Sequence, residues 1–312
     1  AVDVNCREFE ANLGGFMGES LLQCPDCEQP LQQHHLIDEY TAELACCHQC
    51  TGVWVERKQL EVVAHAPKLK QALFAFQEQT NWKTWLFQFV SQFPVEFNVR
   101  AQVTPWVTYS LMVLNVLIFT LMSMSPAFLE WTLLSAAMVP AKISSGQDLQ
   151  SLIGHQFLHG GWMHLIGNMY FLYVVGDNLE DALGHLRFLL LYLLCGIVGA
   201  LFHFASDIHS EIFLVGASGA ISGLFGMYLL WFKHARLSFM LVVWQFKLSP
   251  AIYFAIWVGI NVLGILSNAQ GVAYWAHIGG FVTGLVIGVL LKPFVLKRNL
   301  MLQMLHSENM RG

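Results

Sequence analysis

Long runs without a single Asp, Glu, Lys or Arg dominate this chain. They lie between Arg100 and Glu130, from Gln150 to Gly176, from Phe188 to Ser206, from Ile212 to Phe232 and from Leu248 to Leu291. A helix needs about 20 predominantly apolar residues to cross the hydrocarbon core of a bilayer. The first four runs predict one spanning helix each. The fifth is too long for one crossing, and the turn-forming Ser267-Asn268-Ala269-Gln270-Gly271 within it predicts two. Leu237 to Phe246 is too short to span and reads as an interfacial piece or an extension of the fifth helix. The expected fold is an all-α polytopic membrane protein with six transmembrane helices. Composition agrees, with 55% hydrophobic and only 12% charged residues.

Lysine and arginine orient these crossings. The basic residues around Arg187, from Lys233 to Lys247, and at Lys292, Lys297 and Arg298 fall on one side with both ends of the chain, whereas Lys142 falls on the other. The positive-inside rule predicts cytoplasmic termini. The polar start, with Asp3, Arg7, Glu8 and Glu10, is not expected to be a cleavable signal peptide. The expected location is a bacterial inner membrane.

Residues 1–65 differ in kind. Cys24-Pro25-Asp26-Cys27 and Cys47-His48-Gln49-Cys50 are two C-x-x-C pairs at a separation typical of a structural zinc site. Four thiolates closing a tetrahedron around zinc hold together a domain too small to build its own core. Disulfides are the competing reading, which a reducing cytoplasm disfavours. A redox-active pair is another, weakened by the absence of a βαβ pattern. Cys46 is adjacent to Cys47 but breaks the two-residue spacing. The second knuckle continues through Gly52, Trp54 and Glu56. This run resembles small zinc ribbons of the transcription factor IIB-like type. Such ribbons bind protein or nucleic acid, and the lack of a basic cluster here argues against nucleic acid. Residues 66–104 form a connector rich in aromatic residues, among them Phe74, Phe76, Trp82, Trp85, Phe87, Phe89 and Phe93. An interfacial amphipathic helix and packing under the ribbon both fit it.

Within the apolar runs, polar side chains are costly and mark candidate sites. Ser218 lies in Gly216-Ala217-Ser218-Gly219-Ala220, and His277 in Ala276-His277-Ile278-Gly279-Gly280. A hydroxyl needs a neighbouring base to become a nucleophile, and imidazole suits that role near neutral pH. The small residues around Ser218 let another backbone approach, as attack on a peptide bond requires. Gly280, Gly284 and Gly288, together with Gly219, Gly223 and Gly226, give two smooth helix faces whose packing would bring His277 beside Ser218. No Asp or Glu shares the His277 run, so a dyad rather than a triad is expected. His164 and Asn168 share a helix face and offer hydrogen-bond donors for an oxyanion, with the backbone N–H at Ser218 as a further donor. His155 and His159 read as groups satisfying loop backbone. Their spacing also matches a metalloprotease helix, but position 156 is Gln where the general base should be Glu.

Four motifs in order carry a family resemblance: His159, Gly160, His164, Leu165, Asn168 and Met169; then Gly176, Glu180 and Gly184; then Gly216 to Ala220; then Ala276, His277, Gly280 and Gly284. Over residues 105–292 the chain resembles the rhomboid intramembrane serine proteases, leaving 293–312 as a cytoplasmic tail. The resemblance implies Ser218 as nucleophile and His277 as general base and then acid. It implies His164, Asn168 and the Ser218 amide as oxyanion donors; no cofactor is expected for catalysis, the zinc expected in the ribbon being structural. Its implied substrates are other membrane proteins, cut in or near their transmembrane helices from a site open to the non-cytoplasmic side. The ribbon is left to recruit a protein partner. Two positions depart from some members: Gln150-Ser151 replaces a Trp-Arg pair, and Ser222 replaces a tyrosine that packs on the histidine. The alternatives are a catalytically silent relative that binds membrane clients, a membrane metalloprotease, and a transporter. A transporter would be expected to carry paired intramembrane carboxylates or an internal repeat.

Overall fold

The computed structural model describes residues 2–3, 14–23, 28–35, 43–46, 52–55, 82–91, 93–97, 101, 103–233, 235–241, 244–298 and 302. The chain divides into two units, residues 1–90 with 303–312, and residues 91–302.

The first unit contains an antiparallel sheet of β1 (Val2–Asp3), β2 (Gly14–Gln23), β3 (Pro30–His35), β4 (Glu43–Cys46) and β5 (Gly52–Val55), ordered β1-β5-β4-β3-β2. The β2–β3 hairpin closes beyond Gln23↔Pro30 and the β4–β5 hairpin beyond Cys46↔Val53. Because Gln32 pairs with Cys46, both hairpins close at the same end of the sheet. Cys24, Cys27, Cys47 and Cys50 lie outside the described residues. Helix α1 (Trp82–Ser91) follows, with Trp85, Leu86, Phe87 and Phe89 exposed.

The second unit is mostly helical. Its helices are α2 (Trp106–Met124), α3 (Pro126–Ala136), α4 (Pro140–Ser144), α5 (Ser151–Gly154), α6 (Trp162–Leu183), α7 (His185–Ser206), α8 (Ser218–Trp231), α9 (Pro250–Leu266) and α10 (Tyr274–Arg298). Among the described residues, α2, α7 and α10 are long and apolar enough to cross a membrane, and α8 and α9 are shorter apolar helices. Their outer faces are oily: Val113, Leu117, Leu186, Leu190, Leu263, Val289 and Leu290 are all exposed. A continuous apolar exterior of this kind is one that water penalises and lipid covers.

Local chemistry starts and stops these helices. Ser125 caps α3 by accepting from the Phe128 N–H, with Pro126 at the first helical position, and Ser249 and Pro250 do the same for α9. The turn expected at 267–271 separates α9 from α10, with Asn268 and Gly271 at positive φ. The start of α2 is capped from a distance. Glu180 accepts from the Val107 N–H at 2.9 Å, the Thr108 N–H at 2.8 Å and the Thr108 hydroxyl at 2.7 Å. A carboxylate at a helix N-terminus satisfies orphan donors and complements the helix dipole.

Two expectations need correction. Residues 236–241 and 244–248 are not an extension of α9, the fifth expected helix. They fold as a hairpin of β7 (Arg236–Leu241) and β8 (Trp244–Leu248), and β7 also pairs with β6 (Val95–Phe97) of the connector. A pairing partner upstream stabilises as strand a run too short to stand as a helix, so the helical unit is not purely α. The run from Gln150 is likewise not one helix. Its first residues form α5 and a 3-10 turn at His155–Phe157, and α6 begins only at Trp162.

The core centres on α8, in which residues 219–228 and Trp231 are buried. Helices α8 and α10 meet through their small residues. A methyl group added to Gly280 would strike the Gly219 carbonyl, one on Gly284 the Gly223 carbonyl, and one on Gly226 the backbone at Phe281 and Leu285. The Trp231 indole N–H donates to the Gly288 carbonyl at 2.8 Å and locks the far end.

Candidate active site

Ser218 occupies the first turn of α8, where backbone N–H groups have no partner within the helix. Gly216, at φ 128°, turns the incoming chain, and its N–H donates to the His155 carbonyl at 2.8 Å. Upstream, Met138 and Leu214 exchange backbone hydrogen bonds of 3.1 and 2.8 Å, tying the segment before Ser218 to the loop after α3. The serine is therefore held on both sides, by a helix and by a pinned loop.

His277 stands in the first turn of α10 and meets Ser218 across the glycine seam. Its Nε2 lies 2.8 Å from the Ser218 hydroxyl oxygen. Its Nδ1 lies 2.8 Å from the side-chain oxygen of Asn261 on α9. The Trp257 ring packs beside the imidazole, with centroids 5.7 Å apart. Ser222 instead donates to the Ser218 carbonyl at 2.6 Å. No carboxylate joins the pair among the described residues, but an amide does. The sequence signal for Asn261 was present: it is a polar side chain, 4% exposed, in an otherwise apolar helix.

Of the expected oxyanion donors, His164 sits against the serine loop. A side chain on Gly216 would come within 2.8 Å of the His164 Cε1 and Nε2 atoms and 3.6 Å of the Ser218 oxygen. Asn168, one turn along the same face of α6, is buried, and its side-chain nitrogen has no partner among the described residues. An exposed imidazole and a buried amide thus lie on one face of α6.

His155 and His159 part company. His155 Nδ1 lies 2.9 Å from the Ser151 carbonyl, as expected of a group satisfying loop backbone. His159 does not fit that expectation: it is 2% exposed, neither ring nitrogen has a partner among the described residues, and its ring centroid lies 5.1 Å from that of His164. The helix ends before His159, so the two histidines do not share the helix face a metalloprotease motif requires. Gln156 donates to the Leu152 and Leu193 carbonyls, both at 3.3 Å, and packs on Gly196.

Residues 146–294 match the family described as the Rhomboid domain. RHOMBOID-like protein 4 of Arabidopsis thaliana is 35% identical over 159 residues, covering 48% of this chain and 36% of that protein. Rhomboid-like protease 5 of Toxoplasma gondii is 33% identical over 151 residues, 47% of this chain and 17% of that one. Rhomboid protein 1, mitochondrial, of Saccharomyces cerevisiae is 31% identical over 187 residues, 58% of this chain and 51% of that one. The chain spans from 17% to 51% of the length of these relatives. The yeast protein is mitochondrial by name, so the comparison does not favour a bacterial inner membrane. The matched segment and these relatives support the rhomboid family for the helical unit.

Proposed function

We propose that the helical unit is an intramembrane serine endopeptidase. It would hydrolyse peptide bonds in or near the transmembrane helices of other membrane proteins. The observation that carries this reading is the 2.8 Å approach of His277 Nε2 to the Ser218 hydroxyl at the start of a buried helix. In this mechanism Ser218 attacks the scissile carbonyl while His277 takes its proton. The carbonyl oxygen gains charge within reach of His164, Asn168 and the backbone N–H of Ser218. His277 then protonates the leaving amine, and water completes the cycle by the reverse path.

Six crossings are part of the proposal. At 14 residues, α8 rises about 21 Å, less than the roughly 30 Å hydrocarbon core. A helix that short, enclosed by its neighbours, would put the serine below the membrane surface, where other helical segments would be the accessible substrates. Both chain ends would lie on the side of the basic loops. The silent-binder alternative is disfavoured because hydroxyl and imidazole are both present and in register.

For the ribbon we propose a structural zinc held by Cys24, Cys27, Cys47 and Cys50. The register of the described strands supports it, since Gln23–Pro30 and Cys46–Val53, which flank the two C-x-x-C pairs in sequence, lie at one end of the sheet. Its role would be recruitment of a protein partner or stability, with no part in the chemistry.

The deciding experiment is activity-based labelling. A fluorophosphonate probe should modify Ser218 in wild-type protein, and Ser218→Ala and His277→Ala should each abolish labelling and cleavage of a model transmembrane substrate without unfolding. Undiminished cleavage by Ser218→Ala would rule the mechanism out.

A further inference from the structure

We infer that Asn261 is a positioning residue that fixes the tautomer of His277 and orients its ring, so that the working unit is Ser218, His277 and Asn261 rather than a dyad. The inference rests on the serine mechanism proposed above and extends it to α9.

The orientation of the amide is set by its own helix. The Asn261 side-chain nitrogen donates to the Trp257 carbonyl at 2.8 Å, one turn back, which leaves the side-chain oxygen as the atom facing His277 Nδ1 at 2.8 Å. An amide oxygen only accepts, so Nδ1 must carry the proton. Nε2 is then the unprotonated nitrogen, and it is the atom 2.8 Å from the Ser218 hydroxyl. This is the tautomer a general base requires. When His277 takes the serine proton, the Nδ1–H bond to Asn261 strengthens, because its donor becomes charged. Asn261 therefore stabilises the imidazolium without placing a formal charge in the apolar bundle, where an unpaired carboxylate would be costly. The Trp257 ring beside the imidazole restricts rotation out of this line. One turn of α9 thus supplies both the packing wall and the acceptor. The ionisable side chains whose charge reaches His277 are His164 of α6 and His203 of α7, and the test leaves both unchanged.

The test uses full-length protein in detergent with a model transmembrane substrate. Asn261→Ala should lower kcat by roughly tenfold to a hundredfold, less than the 10²–10⁴ that general-base catalysis itself supplies, with KM nearly unchanged. Fluorophosphonate labelling of Ser218 should slow in parallel. Asn261→Asp retains an acceptor and adds charge, so it should recover much of the rate and move the acid limb of the pH–rate profile to higher pH. A role confined to helix packing predicts no such displacement. In wild-type protein, 15N spectra of labelled histidine, with the His277 signals assigned by their loss in His277→Ala, should show Nδ1 protonated and Nε2 bare. Wild-type kcat in Asn261→Ala, an unmoved acid limb in Asn261→Asp, or an Nε2–H tautomer would each overturn the inference. Should Asn261→Ala fail to fold, the Asp variant and the wild-type spectra still decide. If Ser218→Ala and His277→Ala abolish cleavage while Asn261→Ala does not slow it, only this inference fails and the serine mechanism stands.

Discussion

Gly280 of α10 lies so close to Gly219 of α8 that a methyl group on Gly280 would collide with the Gly219 carbonyl oxygen. Gly284 bears the same relation to Gly223 one turn on. This seam sets the distance from Ser218 to His277, because the two side chains leave adjacent ends of the same pair of helices. Backbone cannot move aside as a flexible side chain can, so the helices must part.

Gly280→Ala and Gly284→Ala should each destabilise the protein by about 1–3 kcal/mol, the usual range for overpacking a core. Gly280→Ala, nearer the site, should also slow Ser218 labelling per folded molecule. Gly259→Ala is the control. A methyl group added there would meet no other part of the fold within 4 Å among the described residues, and alanine in a helix is favoured over glycine by about 1 kcal/mol. Thermal melts in detergent and labelling rates measure both effects. Equal behaviour of Gly259→Ala and Gly280→Ala would refute the seam as the determinant.

Asn168 should separate stability from activity. Its buried side-chain nitrogen has no partner among the described residues, and an unsatisfied buried donor costs about 1–3 kcal/mol. Asn168→Leu should leave the melting temperature unchanged or raised. Loss of an oxyanion donor should meanwhile lower kcat by roughly 10²–10³ with a smaller change in KM. A variant that is both less stable and fully active would assign Asn168 to the fold instead.

How much of this was legible in the sequence depended on how narrow the physical options were. Lipid forbids unpaired backbone and charge, so the charge-free runs marked α2, α7, α8, α9 and α10 well, and the glycine spacing marked the seam. The 236–248 hairpin was not legible, because a short apolar run reads alike as strand or helix until its partner is known, and that partner, β6, lies far upstream. The late start of α6 was missed for a related reason, as residues 150–161 are free of charge but form the short α5 and a 3-10 turn, and the chain breaks before Trp162. Asn261 belongs to no motif and showed only as a single polar residue in an oily helix. What singles it out is the pairing with His277, which only the fold supplies.

Glu96 gives a prediction about pH. It lies on β6, ahead of the first spanning helix, with one carboxyl oxygen against the Tyr228 hydroxyl and the other accepting from the Asn178 amide at 2.7 Å. Burial, and then the charge of Asp177, push this carboxyl well above its ordinary value of 4.5. A carboxyl that ionises less readily folded than unfolded costs stability as pH rises past that ordinary value, and costs nothing below it. Glu96→Gln mimics the protonated form and removes the cost. The variant should melt higher than wild type in mildly alkaline buffer, with the gap closing as the pH falls below about 4.5. A gap that is constant with pH would show that ionisation of Glu96 is not involved.

The ribbon prediction separates zinc from the competing chemistry of its cysteines. Protein purified without chelator should hold zinc at one ion per chain. Replacing Cys47 and Cys50 together with Ser should release it and accelerate amide exchange in β4 and β5, since small domains of this kind depend on their metal for folding free energy. If the cysteines are metal thiolates, all 7 cysteines of the chain should titrate as thiols after denaturation with chelator and no reductant. Disulfides would leave a deficit that reductant restores. Because the ribbon is assigned no chemical step, Ser218 in the metal-free double variant should still react with a fluorophosphonate at the wild-type rate. A folded helical unit whose serine no longer reacts would mean that the ribbon helps assemble the active site, and the division into independent units would have to be abandoned.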